Sequence, residues 1–320
     1  MQKLSNLDYY FLVEELQELV GSRLNKVYEL SKEVLRFRFS KEGTQYNLLA
    51  ELGVRAHLTK YLEEVPKNPS NFAMFLRKHL DNARVTKVEQ LNFDRIFAVH
   101  LQKKEEFILV FEMFAKGNLL LCDSNFEIIL PYRKEQKGER KLAARTKFEL
   151  PQSNKVHPKK ASVDDAKDPS AINLAPFYLK ELQAHAEGSS EKLTEELHEV
   201  FNRFSPTVYL TSGKPVAFSA VELANPVGQV EKFETISKAL DEYYFSVQGA
   251  QEKVAPKTDG LELRKLEKSL EQQKLFLQEH EAKAKEFQEK GDAIYLNFEK
   301  AEKAILKARK EGVDKVELKL

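Results

Sequence analysis

The sequence predicts an α+β protein: an antiparallel β-sandwich with flanking helices, a smaller and more helical unit, and a coiled-coil arm. Three observations predict it. Apolar runs of strand length recur between 35 and 123, at roughly the ten-residue spacing of a meander or sandwich. From 171 to 250 helical periodicity dominates. From 261 to 290 a heptad repeat places Leu263, Leu270, Leu277 and Ala284 on one position and Leu266, Gln273, His280 and Phe287 on the other.

The elements follow in order. Residues 5–20 read as a helix, with Leu12, Leu16, Leu19 and Val20 at helical spacing, Ser5 or Asn6 as its cap and Gly21 as its end. The run 35–39 alternates, with Leu35, Phe37 and Phe39 on one side and Arg36 and Arg38 on the other. Strands are expected again at 46–52, 95–101, 107–114 and 118–123, with turns at 116–118 and 123–125. One helix interrupts them at 71–80, opened by Pro69-Ser70. Residues 132–170 lose periodicity, carry a basic run and are punctuated by Pro151, Pro158 and Pro169, which reads as a mobile loop or linker. Beyond it, 171–185, 190–204 and 234–247 read as helices, and 208–219 as a hairpin turning at Ser212-Gly213-Lys214. Gly291 is expected to break the arm before a last helix at 292–310. These readings give expected boundaries of 1–168 for the sandwich and its basic linker, 169–258 for the helical domain, 259–290 for the arm and 291–320 for a middle helical segment. The seam needs a partner helix, expected from another chain or from a C-terminal half of a longer protein.

Composition narrows the function classes. The chain has 320 residues, of which 42% are hydrophobic and 32% charged, with only 12 Gly and 11 Pro, a balance suited to a real core and solvated helices rather than to disorder. With 51 basic and 50 acidic side chains the net charge is +1, so any nucleic-acid binding rests on local clustering. Cys122 is the one cysteine, which excludes an intramolecular disulfide and a Cys-rich zinc site. The start is amphipathic and acidic rather than signal-like, and no apolar run approaches the roughly 20 residues of a membrane span, so a cytoplasmic protein is expected. Phosphate-loop, dinucleotide, nucleophile-elbow and metal-histidine spacings are all missing. The expectation is therefore no catalytic residue, no metal and no cofactor.

Binding candidates are few. Asp94-Arg95 stands where a strand begins. Either it forms a local ion pair, or Arg95 forks onto a phosphate or base edge while Asp94 accepts from an amino group. Asp8 lies in the first turn of a helix, where a carboxylate either only suits the dipole or serves binding. Arg77, Lys78 and His79 are consecutive on a helix and cannot share one face. Arg133, Lys134, Lys137, Arg140, Lys141, Arg145 and Lys147 either track a phosphate backbone or are a solvated loop. Glu112 in an apolar strand is either paired inside or turned out.

At these residues the sequence resembles the NFACT, or fibronectin-binding-protein-A-like, family of ribosome quality-control factors, the group that includes NEMF of animals and RqcH of bacteria. The resemblance is carried by SNLD (5–8), ELGVRAHLT (51–59), PSNFAMFLRKHLDNARVTKVEQLNFDRI (69–96) and FEMFAKGNLLLCD (111–123), in that order. PVAFSAVEL (215–223), ALDEYYF (239–245) and GDAIYLNF (291–298) extend it over the chain, and the first 130 residues are most similar to the archaeal and eukaryotic branch.

The resemblance implies a glycosylase-like sandwich, a helix-hairpin-helix-like domain and one strand of a coiled-coil arm. It implies binding to large ribosomal subunits obstructed by peptidyl-tRNA, recruitment of an aminoacyl-tRNA, and mRNA-independent C-terminal tailing of the stalled chain. It assigns tRNA gripping to Asp94, Arg95 and Asp8. If the chain binds tRNA in this way, a basic face is expected with them, on which Arg77, Lys78, Arg133, Lys134, Lys137, Arg140 and Lys141 are the candidate backbone contacts. The peptidyl transfer would be the ribosome's, which makes this chain an adaptor. Gln2-Lys3 stand where glycosylases carry an N-terminal proline and a glutamate, so the fold does not bring that chemistry. The alternative class is a protein-binding scaffold or adhesin without an RNA role.

Overall fold

The computed structural model describes residues 2–138, 140–223, 228–252, 277–278, 281 and 283–312. Residues Met1–Lys253 form one compact unit and Val254–Leu320 a second.

In the first unit, α1 (Asn6–Glu15) is opened by a reciprocal capping box: Ser5 accepts from the Asp8 N–H, and Asp8 accepts from the Ser5 N–H. A 3₁₀ turn, Leu16–Leu19, completes the expected 5–20 helix. The meander then runs β1 (Arg23–Ser31), β2 (Val34–Lys41), β3 (Thr44–Glu51), β4 (Arg55–Leu58), α2 (Asn71–Leu80), β5 (Arg84–Gln90), β6 (Ile96–Gln102), β7 (Glu106–Glu112), β8 (Asn118–Asp123) and β9 (Ile128–Pro131). These nine strands form one antiparallel sheet in the order β4-β3-β2-β1-β5-β6-β7-β8-β9.

The sheet is nearly two. Its halves are joined at β1 and β5 by a single ladder pair, Arg23 with Arg84. They face each other across the core, where the Phe37 ring of β2 meets Phe111 of β7 at 5.4 Å. They also touch at their turns, where Gly53 and Gly117 pass so closely that a β-carbon on Gly117 would lie 2.1 Å from the Gly53 nitrogen.

The 132–170 stretch departs from the linker expectation. It contains β10 (Glu135–Lys137), β11 (Arg140–Leu142) and α3 (Val163–Lys167). Leu142 and Phe148 cover the outer face of β6–β8, forming a second cluster with Ile96, Ala98, Ile108, Val110, Leu120 and Cys122. That cover explains why β6 is buried on both faces over Ile96–Leu101 instead of alternating. The apolar residues that do this are too sparse to leave a period in the sequence.

Residues 171–252 share the same core. They form α4 (Pro176–Ala186), α5 (Ser190–Glu199), the hairpin β12 (Phe204–Thr211) and β13 (Lys214–Val221), β14 (Gln229–Lys232) and α6 (Ile236–Glu252). Asp241 of α6 accepts from Thr59 Oγ1 at 2.7 Å and from the Lys60 N–H at 2.9 Å, and it meets the buried His57 Nε2 at 2.9 Å.

In the second unit, residues 283–296 are helical straight through Gly291, and the turn comes at Asn297, before α7 (Phe298–Glu311). The break expected at Gly291 is thus displaced, since a single glycine costs a helix only about 1 kcal/mol. Most of the heptad positions lie outside the described residues. Of the others, Leu277 and Phe287 are exposed.

Candidate nucleic-acid interface

The connection from β5 to β6 is the tight loop 91–95. Its bends are made by two consecutive residues in the left-handed region, Asn92 at φ 54° and Phe93 at φ 48°. Asparagine tolerates that conformation, but a buried phenylalanine does so only when its surroundings hold it.

They do. Phe93 is inserted among Tyr10, His157 and Phe201, with ring centroids 6.3, 4.4 and 5.5 Å away. Three amide side chains then fix the loop's carbonyls. Gln90 Nε2 donates to Asp94 O and Asn6 O, both at 2.8 Å. Asn173 Nδ2 donates to Phe93 O at 3.2 Å, and Asn6 Nδ2 reaches the same oxygen at 3.4 Å while donating to Asn173 O at 2.7 Å. On the other flank the Met113 N–H donates to Arg95 O at 2.8 Å.

The side chains of Asp94 and Arg95 therefore stand on a backbone that cannot drift. A local ion pair between them does not form: Asp94 Oδ1 accepts from the Arg95 backbone N–H at 2.7 Å. The Arg95 guanidinium makes no hydrogen bond or ion pair among the described residues, and Asp94 Oδ2 is likewise unused. Both side chains are half-buried. A carboxylate oxygen and a guanidinium fork with free valences, side by side on a rigid turn, can read a base edge and a phosphate.

Beside the loop, α1 and β5 enclose a cleft of about 320 Å³ lined by Tyr10, Gln17, Gln90, Phe93 and His157 among others. Lys159 lies over the Tyr10 ring at 4.8 Å and the Phe201 ring at 4.4 Å. Burial and the neighbouring Lys159 and Lys160 hold the His157 imidazole below its ordinary range, so it is neutral at physiological pH.

The other expected contacts are scattered. Asp8 is 1% exposed. Its carboxylate is spent on the Ser5 N–H at 2.7 Å and the Tyr178 hydroxyl at 2.5 Å. Burial pushes its pKa up, and those hydrogen bonds oppose the rise. It ties α1 to α4 and offers nothing to solvent. Arg77 donates to Val27 O at 2.7 Å and lies on the Tyr28 ring, whereas Lys78 is exposed. Arg133 is consumed by Lys116 O at 2.6 Å and Glu33 at 2.5 Å. Arg140 is paired with the buried Glu112 carboxylate and donates to Glu149 O at 2.8 Å. Burial raises the Glu112 pKa, Arg140 opposes the rise, and Glu135 and Asp94 add to it. Of the two alternatives for Glu112, the structure shows the inward, paired one. Lys134 and Lys141 are exposed, and Lys137 lies in β10 with its side chain outside the described residues.

Asn6, Gln90, Asn173 and Phe93 escape sequence reasoning as site residues. Asn6 stands in the SNLD segment as a helix cap, and Gln90 and Phe93 stand in the 69–96 segment with no role assigned there; Asn173 carries no local signal, because its partners lie up to 167 positions away.

Fold and site together define a mixed α+β protein with an ordered polar loop exposed at one end of a large antiparallel sheet. The chain matches the family of NFACT N-terminal and middle domains over residues 6–319, and it belongs to that family. It is 28% identical to the archaeal Rqc2 homolog aRqcH of Methanocaldococcus jannaschii over 357 aligned residues, covering 98% of this chain and 53% of that protein. It is 33% identical to the ribosome quality control complex subunit NEMF of Homo sapiens over 162 residues, 49% of this chain and 15% of that one. The chain spans about half the length or less of these relatives. The N-terminal part of the fibronectin/fibrinogen-binding protein from Streptococcus suis shares its fold, with a TM-score of 0.65 at 22% identity over 76% of this chain and 99% of that one. Among the described residues no helix is long and apolar enough to cross a membrane.

Proposed function

We propose that this chain is the tRNA-gripping front part of a ribosome quality-control factor, acting as a cytoplasmic adaptor. In this reading it binds a large ribosomal subunit carrying peptidyl-tRNA and recruits an aminoacyl-tRNA for mRNA-independent tailing of the stalled chain. The ribosome performs the peptidyl transfer. The observation that carries the reading is the unused Asp94–Arg95 pair on its amide-pinned loop, within a family whose relatives are named as ribosome quality-control factors.

An anticodon loop offers unstacked bases, which proteins recognise by hydrogen bonds to base edges and by stacking on aromatic rings. Asp94 accepts from a base amino group, Arg95 donates to a base acceptor or phosphate, and the half-buried Tyr10 and His157 rings of the neighbouring cleft offer a stacking surface next to them. Asp8 acts through α1 and Asn6 as a positioning residue. Lys78, Lys134 and Lys141 add sequence-independent attraction. The coiled-coil helix pairs with a partner helix from another chain or from the rest of a longer one.

The test is tRNA binding by fluorescence anisotropy, comparing wild type with Asp94→Ala/Arg95→Ala. The reading expects loss of binding with an unchanged melting temperature. Normal binding by the double variant rejects the site.

A further inference from the structure

At the seam where the two halves of the sheet part, a cleft of about 700 Å³ opens, lined by Val20, Gly21, Arg23, Arg84, Lys103 and Lys104 among others, with no acidic residue on its walls. Its floor is the single ladder pair joining β1 to β5, and that pair is Arg23 opposite Arg84. Like charges directly opposite in a sheet repel and are ordinarily avoided. Lys41 adds to the crowding: its Nζ and the Arg84 Nη2 lie 3.9 and 3.8 Å from the same point, the place a β-carbon on Gly21 would take. None of Arg23, Lys41, Arg84, Lys103 and Lys104 makes an ion pair among the described residues. Arg23 and Lys41 are held only by main-chain oxygens, Asn82 O at 3.1 Å and Val20 O at 2.9 Å. Five converging cations without a counter-charge, two of them in direct cross-strand opposition, make a site that lacks its anion.

We propose that this cleft is a second RNA contact, seating the phosphate backbone of a duplex stem independently of sequence. The inference rests on the RNA-binding reading above and extends it to a separate surface. β6 runs between the two: Arg95 precedes it and Lys103 follows it, so eight residues of extended chain, about 26 Å, separate loop from cleft. A single structured RNA engages both, with base edges read at Asp94–Arg95 and a stem clamped at the seam. An anionic membrane fits less well, because no large exposed hydrophobic side chain lies on this rim to enter a bilayer.

The test uses the full chain and three probes: a deproteinised tRNA, a blunt RNA duplex of roughly 16 base pairs, and vesicles containing phosphatidylserine. The variant is Arg84→Ala/Lys103→Ala/Lys104→Ala, three exposed side chains free of structural hydrogen bonds in the fold. The proposal expects duplex affinity to fall roughly tenfold or more and the slope of log K against log salt to shrink by about three, since each of the three phosphates left without its cation takes nearly one unit from the slope. It also expects Asp94→Ala/Arg95→Ala to leave duplex binding intact. Wild-type duplex affinity and salt slope in the triple variant overturn the cleft. If tRNA binding is then still lost in the Asp94/Arg95 variant, the functional reading survives alone. Vesicle binding that depends on the three residues, with duplex binding unchanged, also overturns the proposal.

Discussion

The Tyr178 hydroxyl donates to Asp8 Oδ1 at 2.5 Å, joining the first turn of α1 to α4 from 170 residues away. The same hydroxyl accepts from the Ala220 N–H at 2.8 Å, so β13 is drawn into the junction. Tyr178→Phe leaves a buried carboxylate and a buried N–H each short of a partner. The expected cost is about 1–3 kcal/mol, read as a lower midpoint in urea unfolding. Wild-type stability in the phenylalanine variant would contradict this account of Asp8.

Gln90→Ala removes the two hydrogen bonds that fix Asp94 O and Asn6 O. Gln90 lines one wall of the neighbouring cleft, and its loss also releases the loop. The expected result is a tRNA affinity reduced by roughly tenfold or more, because a displaced fork cannot keep its geometry. Anisotropy titration measures it, and a conservative Gln90→Glu variant, which keeps the size but loses the amide donors, is expected to bind as poorly as Gln90→Ala.

Arg140→Ala leaves Glu112, 3% exposed, without its counter-ion. Breaking one side of a buried pair costs about 3–5 kcal/mol. Arg140→Ala is therefore expected to destabilise the fold, and the double variant Arg140→Ala/Glu112→Gln to recover much of the loss. Equal stability of wild type and Arg140→Ala in chemical denaturation would return Arg140 to the solvent as a free backbone contact.

Gly117→Ala places a β-carbon 2.1 Å from the Gly53 nitrogen, whereas at Gly43 nothing lies within 4 Å. Both glycines have positive φ, which costs an alanine about 1–2 kcal/mol. Only Gly117→Ala adds a backbone collision. It is expected to lower the melting temperature markedly, and well beyond the smaller loss that the backbone cost alone brings in Gly43→Ala.

Stability is expected to fall on acidification. Burial depresses the His57 pKa, with Asp241 opposing that shift. For Asp241, burial raises the pKa, but His57, Lys60 and Thr59 together bring it below its ordinary value. A depressed folded pKa means that the unfolded chain takes up protons first. The stability of the α6 docking is thus fully present above about pH 6.5, where unfolded histidine is neutral, and is lost as pH falls through the folded pKa of His57 and then below that of Asp241. Melting curves from pH 7.5 to 5 check it: His57→Gln is expected to flatten the slope below pH 6.5.

Legibility followed burial. The helix at 71–80 reads correctly from sequence, since its apolar stripe is one-sided and Ser70 caps it. β1 and β5 escape detection because Arg23, Lys26, Glu29, Arg84, Lys87 and Glu89 interrupt their few buried positions. The outer layer at 140–148 escapes because two side chains, Leu142 and Phe148, do most of the covering. The position of Asp94-Arg95 ahead of a strand is legible, but what holds it is not: Asn6, Gln90 and Asn173 come from three distant segments, and amide side chains leave no period.

The most direct test of the central claim is to crosslink the chain to RNA in its native cytosol and sequence what it holds. Enrichment of one or a few tRNAs, lost on Asp94→Ala/Arg95→Ala, is the predicted result. Recovery of no tRNA, or equal recovery by the double variant, would contradict it.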